Sequence, residues 1–232
     1  MVFHLYNLEI MCFSSTASFG ASGVLLLIGV ASIIKTDQSK LLPFAVIPLI
    51  FAIQQFTEGF LWLSLEGRLP GYEKLLTYSY LFFAQVLWPV WIPLAFLWLE
   101  NNNTRRMFLK ILAGAGILVG LYLAYGLLSF NVSSEIVNHH IKYRLDYPQR
   151  LQGFGNLFYG LATIAPAFVS SVKGMKIFGL FVILAYLVAF LSFRNALISV
   201  WCYFAAVISI SIWFLLPVSN PNQVKEINLK NL

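Results

Sequence analysis

Seven long apolar stretches, parted by short polar connections, constrain this chain more than any other feature. They run over 13–34, 41–65, 75–99, 107–130, 154–172, 175–193 and 195–216. About 20 mostly apolar residues carry an α-helix across the roughly 30 Å hydrocarbon layer of a bilayer. Inside that layer the backbone must bond to itself, so helices are the expected form. The sequence therefore reads as an all-α, polytopic integral membrane bundle with seven transmembrane helices. Composition agrees: charged residues are only 10% of the 232, and the mean hydropathy is +0.80. A soluble domain carries about 25% charged residues, so this chain has too few polar side chains to coat a water-soluble globule. A single domain is expected over 13–217, between an extension over 1–12 and a polar tail over 218–232. Met11 is an alternative start, and the first ten residues lack the positive region of a secretory signal.

The net charge of +6 does not point to nucleic acid, because the basic residues fall between apolar runs with no dense patch. They serve instead as topology signals. Lys35, Lys40, Arg105, Arg106, Lys110, Lys173, Lys176, Lys225 and Lys230 lie on one side of the expected membrane. Arg68, Lys74, Lys142, Arg144, Arg150 and Arg194 lie on the other. The richer side is expected to be cytoplasmic, which puts the N-terminus outside and the C-terminus inside, in a bacterial inner membrane. Within the fourth stretch, Gly116 and Gly120 form a small-xxx-small pattern that predicts close helix contact. Pro48, Pro89, Pro93 and Pro166 lie inside stretches and predict kinks.

Polar groups are expensive at membrane depth, so their positions carry the functional signal. The second stretch contains Gln54, Gln55 and Glu58, spaced three and four apart and so on one helical face, which Trp62 continues. A charged side chain at mid-bilayer costs about 2.5–3.5 kcal/mol on insertion scales. Glu58 is therefore expected to face the bundle interior, as part of a ligand, proton or metal site or of a hydrogen-bond cluster between helices. Gln85, Asn156, Tyr159 and Trp201 lie at depths that let them converge with it, as do Cys12, His139, His140 and Cys202, and the first four complete the candidate ligand-binding set.

Cys12, Glu58 and His140 are the candidate metal ligands, although no ligand spacing such as Cys-x-x-Cys or His-Glu-x-x-His accompanies them. No cofactor can be named from these residues. Spans five to seven have no interior lysine to anchor a retinal Schiff base, and there is no nucleophile elbow, phosphate loop or arginine ladder.

Met11-Cys-Phe-Ser-Ser-Thr-Ala-Ser-Phe19 resembles the opening of a family of uncharacterised bacterial multispan membrane proteins, whose members begin Met-Cys-Phe-Ser-Ala-Thr-Ala-Ser-Phe. This chain differs at Ser15 and by ten leading residues. The resemblance continues through Ile47–Gly59, His140–Tyr143 and Trp201–Ala206. The family is a domain of unknown function, so the resemblance implies a multispan membrane fold and no activity. The functional expectation is a membrane protein, rather than an enzyme, that binds or transports a small ligand, ion or lipid through a polar pocket near the outer leaflet around Glu58. The alternatives are a subunit of a larger membrane complex and a membrane-embedded metal-dependent hydrolase or redox protein. Expected partners are the lipid bilayer, a small molecule or ion, and other membrane subunits, with no nucleic acid among them.

Overall fold

Small residues set the first helix pair. Helix α1 (Ser15–Lys35) begins at Ser14, whose hydroxyl accepts the Ala17 N–H at 3.2 Å. It buries Ser18, Ser22, Leu25, Gly29 and Ser32 along one stripe. With no side chain at Gly29, its partner α2 (Ile47–Leu65) comes so close that an added Cβ would lie 2.7 Å from the Leu49 nitrogen. Ser22 ties the pair further by donating to the Ala52 carbonyl at 2.8 Å. This is the close approach that small residues permit between membrane helices.

The computed structural model describes residues 13–216, the stretch 149–154 by its backbone alone. The expected extension over 1–12, with Cys12, and the tail over 218–232 lie outside the described residues. After α2 come α3 (Glu73–Leu81), a π-helical segment (Phe82–Leu87) and α4 (Trp88–Leu99). Next are α5 (Asn103–Ser129), α6 (Gln149–Val169), α7 (Met175–Ser192) and α8 (Leu197–Ser209). Among the described residues, six helical stretches are long and apolar enough to cross a membrane: Ser15–Lys35, Ser39–Leu65, Glu73–Leu99, Asn103–Ser129, Met175–Ser192 and Arg194–Leu215. This is the signature of an integral membrane protein. Leu128 and Ile34 are 82% and 76% exposed, an arrangement that hydrocarbon stabilises and water would not. The fifth expected span is represented by a shorter apolar helix over Gly155–Val169.

Prolines shape the third crossing. Pro93 cannot donate to the carbonyl of Pro89, and Pro89 cannot donate to that of Gln85. The π-helical segment sits directly before this pair. The Pro89 oxygen is met by α5, where a Cβ added to Gly116 would stand 1.9 Å from it. Gly116 and Gly120 thus form the contact face that their spacing predicts.

One element departs from the all-α expectation. Val132–Val137 (β1) and His140–Leu145 (β2) pair antiparallel, from Val132 opposite Leu145 to Val137 opposite His140. The two-residue turn places Asn138 and His139 at φ 47° and 61°, the left-handed pair that a tight hairpin turn demands. The hairpin caps one end of the bundle. Ile141 and Tyr143 point inward and are buried, while Lys142 and Arg144 both reach Glu135 on the outer face.

Candidate functional site

The face of α2 predicted to be special is buried. Gln54 and Gln55 are fully inaccessible and Glu58 is 2% exposed. Gln54 accepts the indole N–H of Trp88 at 2.7 Å, and the Trp88 ring stacks on Phe51 with centroids 3.9 Å apart. Glu58 accepts the Ser199 hydroxyl of α8 at 2.5 Å. The Gln55 amide and the Tyr80 hydroxyl of α3 also approach Glu58, without reaching hydrogen-bond geometry. Cys202 follows Ser199 on the same face of α8 and is approached by Gln54 and Tyr80. Above the group, Tyr143 of the hairpin lies flat on Tyr80, with ring centroids 5.1 Å apart and planes 3° apart. Burial raises the Tyr143 phenol well above its ordinary value, with Glu58 and Cys202 nearby adding to the shift. Tyr143 therefore keeps its proton and acts as a donor, not a base.

This polar group is under-satisfied. Gln54 Nε2, both amide atoms of Gln55, and the hydroxyls of Tyr80 and Tyr143 are buried without a hydrogen-bond partner. Native interiors rarely leave such atoms unmatched. None of the ion pairs among the described residues involves Glu58.

The open space lies on the other side of Cys202. A cavity of about 590 Å³ runs between α5, α6, α7 and α8. Gln85, Asn156, Tyr159 and Trp201 line it, as do Cys202, Tyr186 and aliphatic residues such as Ile164 and Ile183. Alongside it, α6 and α8 make little direct contact. Trp201 bridges this gap, with ring centroids 5.5 Å from Tyr159 and 5.2 Å from Tyr186. Tyr159 donates to the Ala84 carbonyl at 2.5 Å and Tyr147 to Gln85 Oε1 at 2.9 Å, both in the π-helical segment.

A second cavity, about 300 Å³, shares Gln85, Leu123, Leu145, Asn156, Leu197 and Ile198 with the first. It adds Tyr143, Tyr147, Arg194 and Asn195 at the hairpin end. Burial, with Tyr78 and Tyr122 nearby, pushes the Tyr147 phenol up to about 12, so it too is a standing donor. Arg194 lies over the Phe190 ring at 4.9 Å. It has no acidic partner among the described residues.

The structure thus sorts the expected site residues into two neighbouring sets. Gln54, Gln55 and Glu58 form the buried polar group, whereas Gln85, Asn156, Tyr159 and Trp201 line the cavity. Trp62 belongs to neither and is buried in the apolar cluster beneath the hairpin. Cys202, expected to converge with Glu58, stands between the two sets; sequence reasoning missed Tyr80, Tyr143, Ser199 and Arg194. Ser199 and the tyrosines carried no signal that set them apart from ordinary residues of apolar segments.

Among the described residues no three His, Cys, Asp or Glu side chains gather to hold a metal. Of the candidate ligands, Cys12 lies outside the described residues. Glu58 has the neighbours given above. His140 packs edge-on against Phe13 and Phe193, with centroids at 4.7 and 4.9 Å. The adjacent His139 is exposed at the hairpin turn.

No curated protein and no solved structure matches the chain. The model of one family matches from Met11, where the sequence resemblance also starts, and its span of residues 11–226 takes in both cavities and the buried polar group. On that match the chain belongs to a family of unknown function (DUF6629).

Proposed function

We propose that this protein is a seven-span protein of a bacterial inner membrane that binds, and can carry, an amphipathic small molecule of lipid type. The single observation behind this reading is the polarity gradient across two confluent cavities. The larger is walled mainly by aliphatic and aromatic side chains. The smaller offers Arg194, Asn195, Tyr143 and Tyr147 at the hairpin end. An apolar body seats in the first and an anionic or strongly polar head in the second, which is how small-molecule sites divide affinity from orientation. A combined space of several hundred Å³ suits such a ligand. Arg194 suits a phosphate or carboxylate head because it is always charged and can bind such groups through two N–H donors.

The seventh crossing in this reading is α6. Its 21 residues span about 31 Å at 1.5 Å per residue. The excess of Lys and Arg at the end opposite the hairpin supports an outside N-terminus and a cytoplasmic C-terminus. The cavity mouth then faces the outer leaflet.

The test is native mass spectrometry of the purified protein with added lipids. Gly160 lines the larger cavity, and a Cβ added there meets nothing within 4 Å. Gly160→Leu should fold normally and lower occupancy by an anionic single-chain lipid about tenfold, and Arg194→Gln should selectively weaken anionic over neutral lipids. Equal lipid occupancy in wild type and Gly160→Leu would remove the cavity from the function.

A further inference from the structure

The buried polar group around Glu58 is separate from the cavities, because neither of them is lined by Glu58, Gln54 or Gln55. It has the chemistry of a site in its own right. We propose that Glu58, Gln55, Tyr80 and Ser199 form a binding site for Na⁺, for which a proton competes.

Four observations carry this. First, the donors are hard oxygens: a carboxylate, an amide carbonyl, a phenol and an aliphatic hydroxyl. Such oxygens suit Na⁺ and similar hard cations, whereas thiolate and imidazole ligands select transition metals. Second, Gln55 and Tyr80 are fully buried and approach Glu58 without completing hydrogen bonds. Their polar atoms lie beside the carboxylate with no well-formed hydrogen bond. A cation between them takes the Gln55 carbonyl and the Tyr80 oxygen as ligands.

Third, charge selects a monovalent ion. The titratable side chains around Glu58 are Tyr80 on α3, Tyr143 on β2 and Cys202 on α8. No lysine, arginine or histidine is among these described neighbours. An isolated carboxylate is costly at this depth, and a single positive charge makes the group neutral. A divalent ion would leave a net positive charge with nothing to offset it. Fourth, Tyr143 belongs to the hairpin outside the helical bundle, and its ring covers Tyr80. The site thus lies directly beneath an aromatic ring of the hairpin that caps this end of the bundle.

The test uses the full-length protein in detergent and dicyclohexylcarbodiimide, an apolar reagent that modifies protonated carboxyl groups. Glu58 labelling is followed by peptide mass in NaCl, KCl or choline chloride at constant ionic strength, between about pH 6 and pH 9. Na⁺ should suppress labelling in a saturable way, more Na⁺ should be needed at lower pH, and choline should do nothing. Tyr80→Phe and Ser199→Ala should each raise the half-protecting Na⁺ concentration by about tenfold, as expected for one lost oxygen ligand. Thermal unfolding gives an independent readout: Na⁺, but not choline, should raise Tm in wild type and leave Glu58→Gln unmoved. Labelling that follows pH alone, equal protection by K⁺, or no labelling together with no Na⁺-dependent Tm would each overturn the proposal. Gly160→Leu should keep the Na⁺ response, so failure of the lipid reading and failure of this one are separable.

Discussion

Gln54 illustrates how much a single buried polar atom matters in this bundle. Its carbonyl is matched by Trp88 while its amide nitrogen is unmatched. Trp88→Phe keeps a ring over Phe51 but deletes the only donor to that carbonyl among the described residues, leaving a second orphan atom on the same side chain. An unsatisfied buried acceptor costs about 1–3 kcal/mol, so thermal unfolding in detergent should show a clearly lowered Tm. Trp91→Phe is the internal comparison. Trp91 donates to the Pro43 carbonyl at 3.0 Å in a partly buried setting, where less packing rests on the ring, and its loss should be smaller. Equal losses would mean that ring volume, not the hydrogen bond, sets the effect. Gln54, Gln55 and Glu58 were legible in the sequence because lipid makes amides and acids conspicuous. Ser199 was not, because a serine hydroxyl can satisfy itself on its own helix backbone and so appears in apolar helices without signifying anything.

At the scale of elements, the contact between α4 and α5 shows two local rules cooperating. Pro93 strips the Pro89 carbonyl of its helical donor, and Gly116 brings an α-carbon against that oxygen. A Cα–H can then serve as a weak donor. A side chain at 116 cannot fit without moving a backbone. Gly116→Ala should therefore destabilise by about 1–3 kcal/mol, the usual cost of overpacking. Gly114, two residues away, meets nothing within 4 Å. Gly114→Ala should instead stabilise by about 0.5–1 kcal/mol through helix propensity. Opposite signs from the same substitution, measured by thermal or denaturant unfolding, are the expected result; like signs would break the packing argument. The two glycines of this contact were readable from spacing. The hairpin was also readable, since Ile141-Lys-Tyr143-Arg-Leu145 alternates apolar and polar residues as a half-buried strand does. The turn itself is less legible, because Asn138-His139 puts a histidine where a left-handed position usually selects glycine. The π-helical segment had no sequence signature beyond the proline that follows it.

At the scale of the whole molecule, the two ends of the bundle are built differently. The hairpin end is where the cavities, Arg194 and the Tyr143 ring lie. The opposite end is clasped. Glu100 is buried and its carboxylate accepts the Asn102 N–H at 2.8 Å, with the Ser171 N–H and hydroxyl both at 2.6 Å. The Arg106 guanidinium donates to the carbonyls of Leu97 and Glu100, and Arg105 donates to that of Val169. The connection between α4 and α5 is thereby fastened to the connection between α6 and α7. A bundle held at this end can leave α6 and α8 apart at cavity depth without the helices separating. The apolar runs announced the helices, six of them long enough to cross a membrane among the described residues, but this clasp was not legible. It joins residues 71 positions apart, and short polar connections carry no pattern that pairs one with another. Its electrostatics give the corresponding prediction. Burial alone would push the Glu100 carboxyl up. The Ser171 hydroxyl and the N–H groups of Asn102, Ser171 and Asn101 outweigh it and hold the group below its ordinary value of 4.5. The unfolded chain then binds a proton more readily than the folded one, so stability rises with pH across that interval. The contribution is complete above the ordinary carboxylate range and disappears as pH falls through the folded value. Glu100→Gln removes the charged acceptor at every pH. The variant should be less stable than wild type near about pH 7, and the gap should close as both are acidified toward about pH 3. A constant gap in Tm across that range would show that Glu100 contributes shape rather than charge, and the clasp would then have to rest on Arg105 and Arg106 alone.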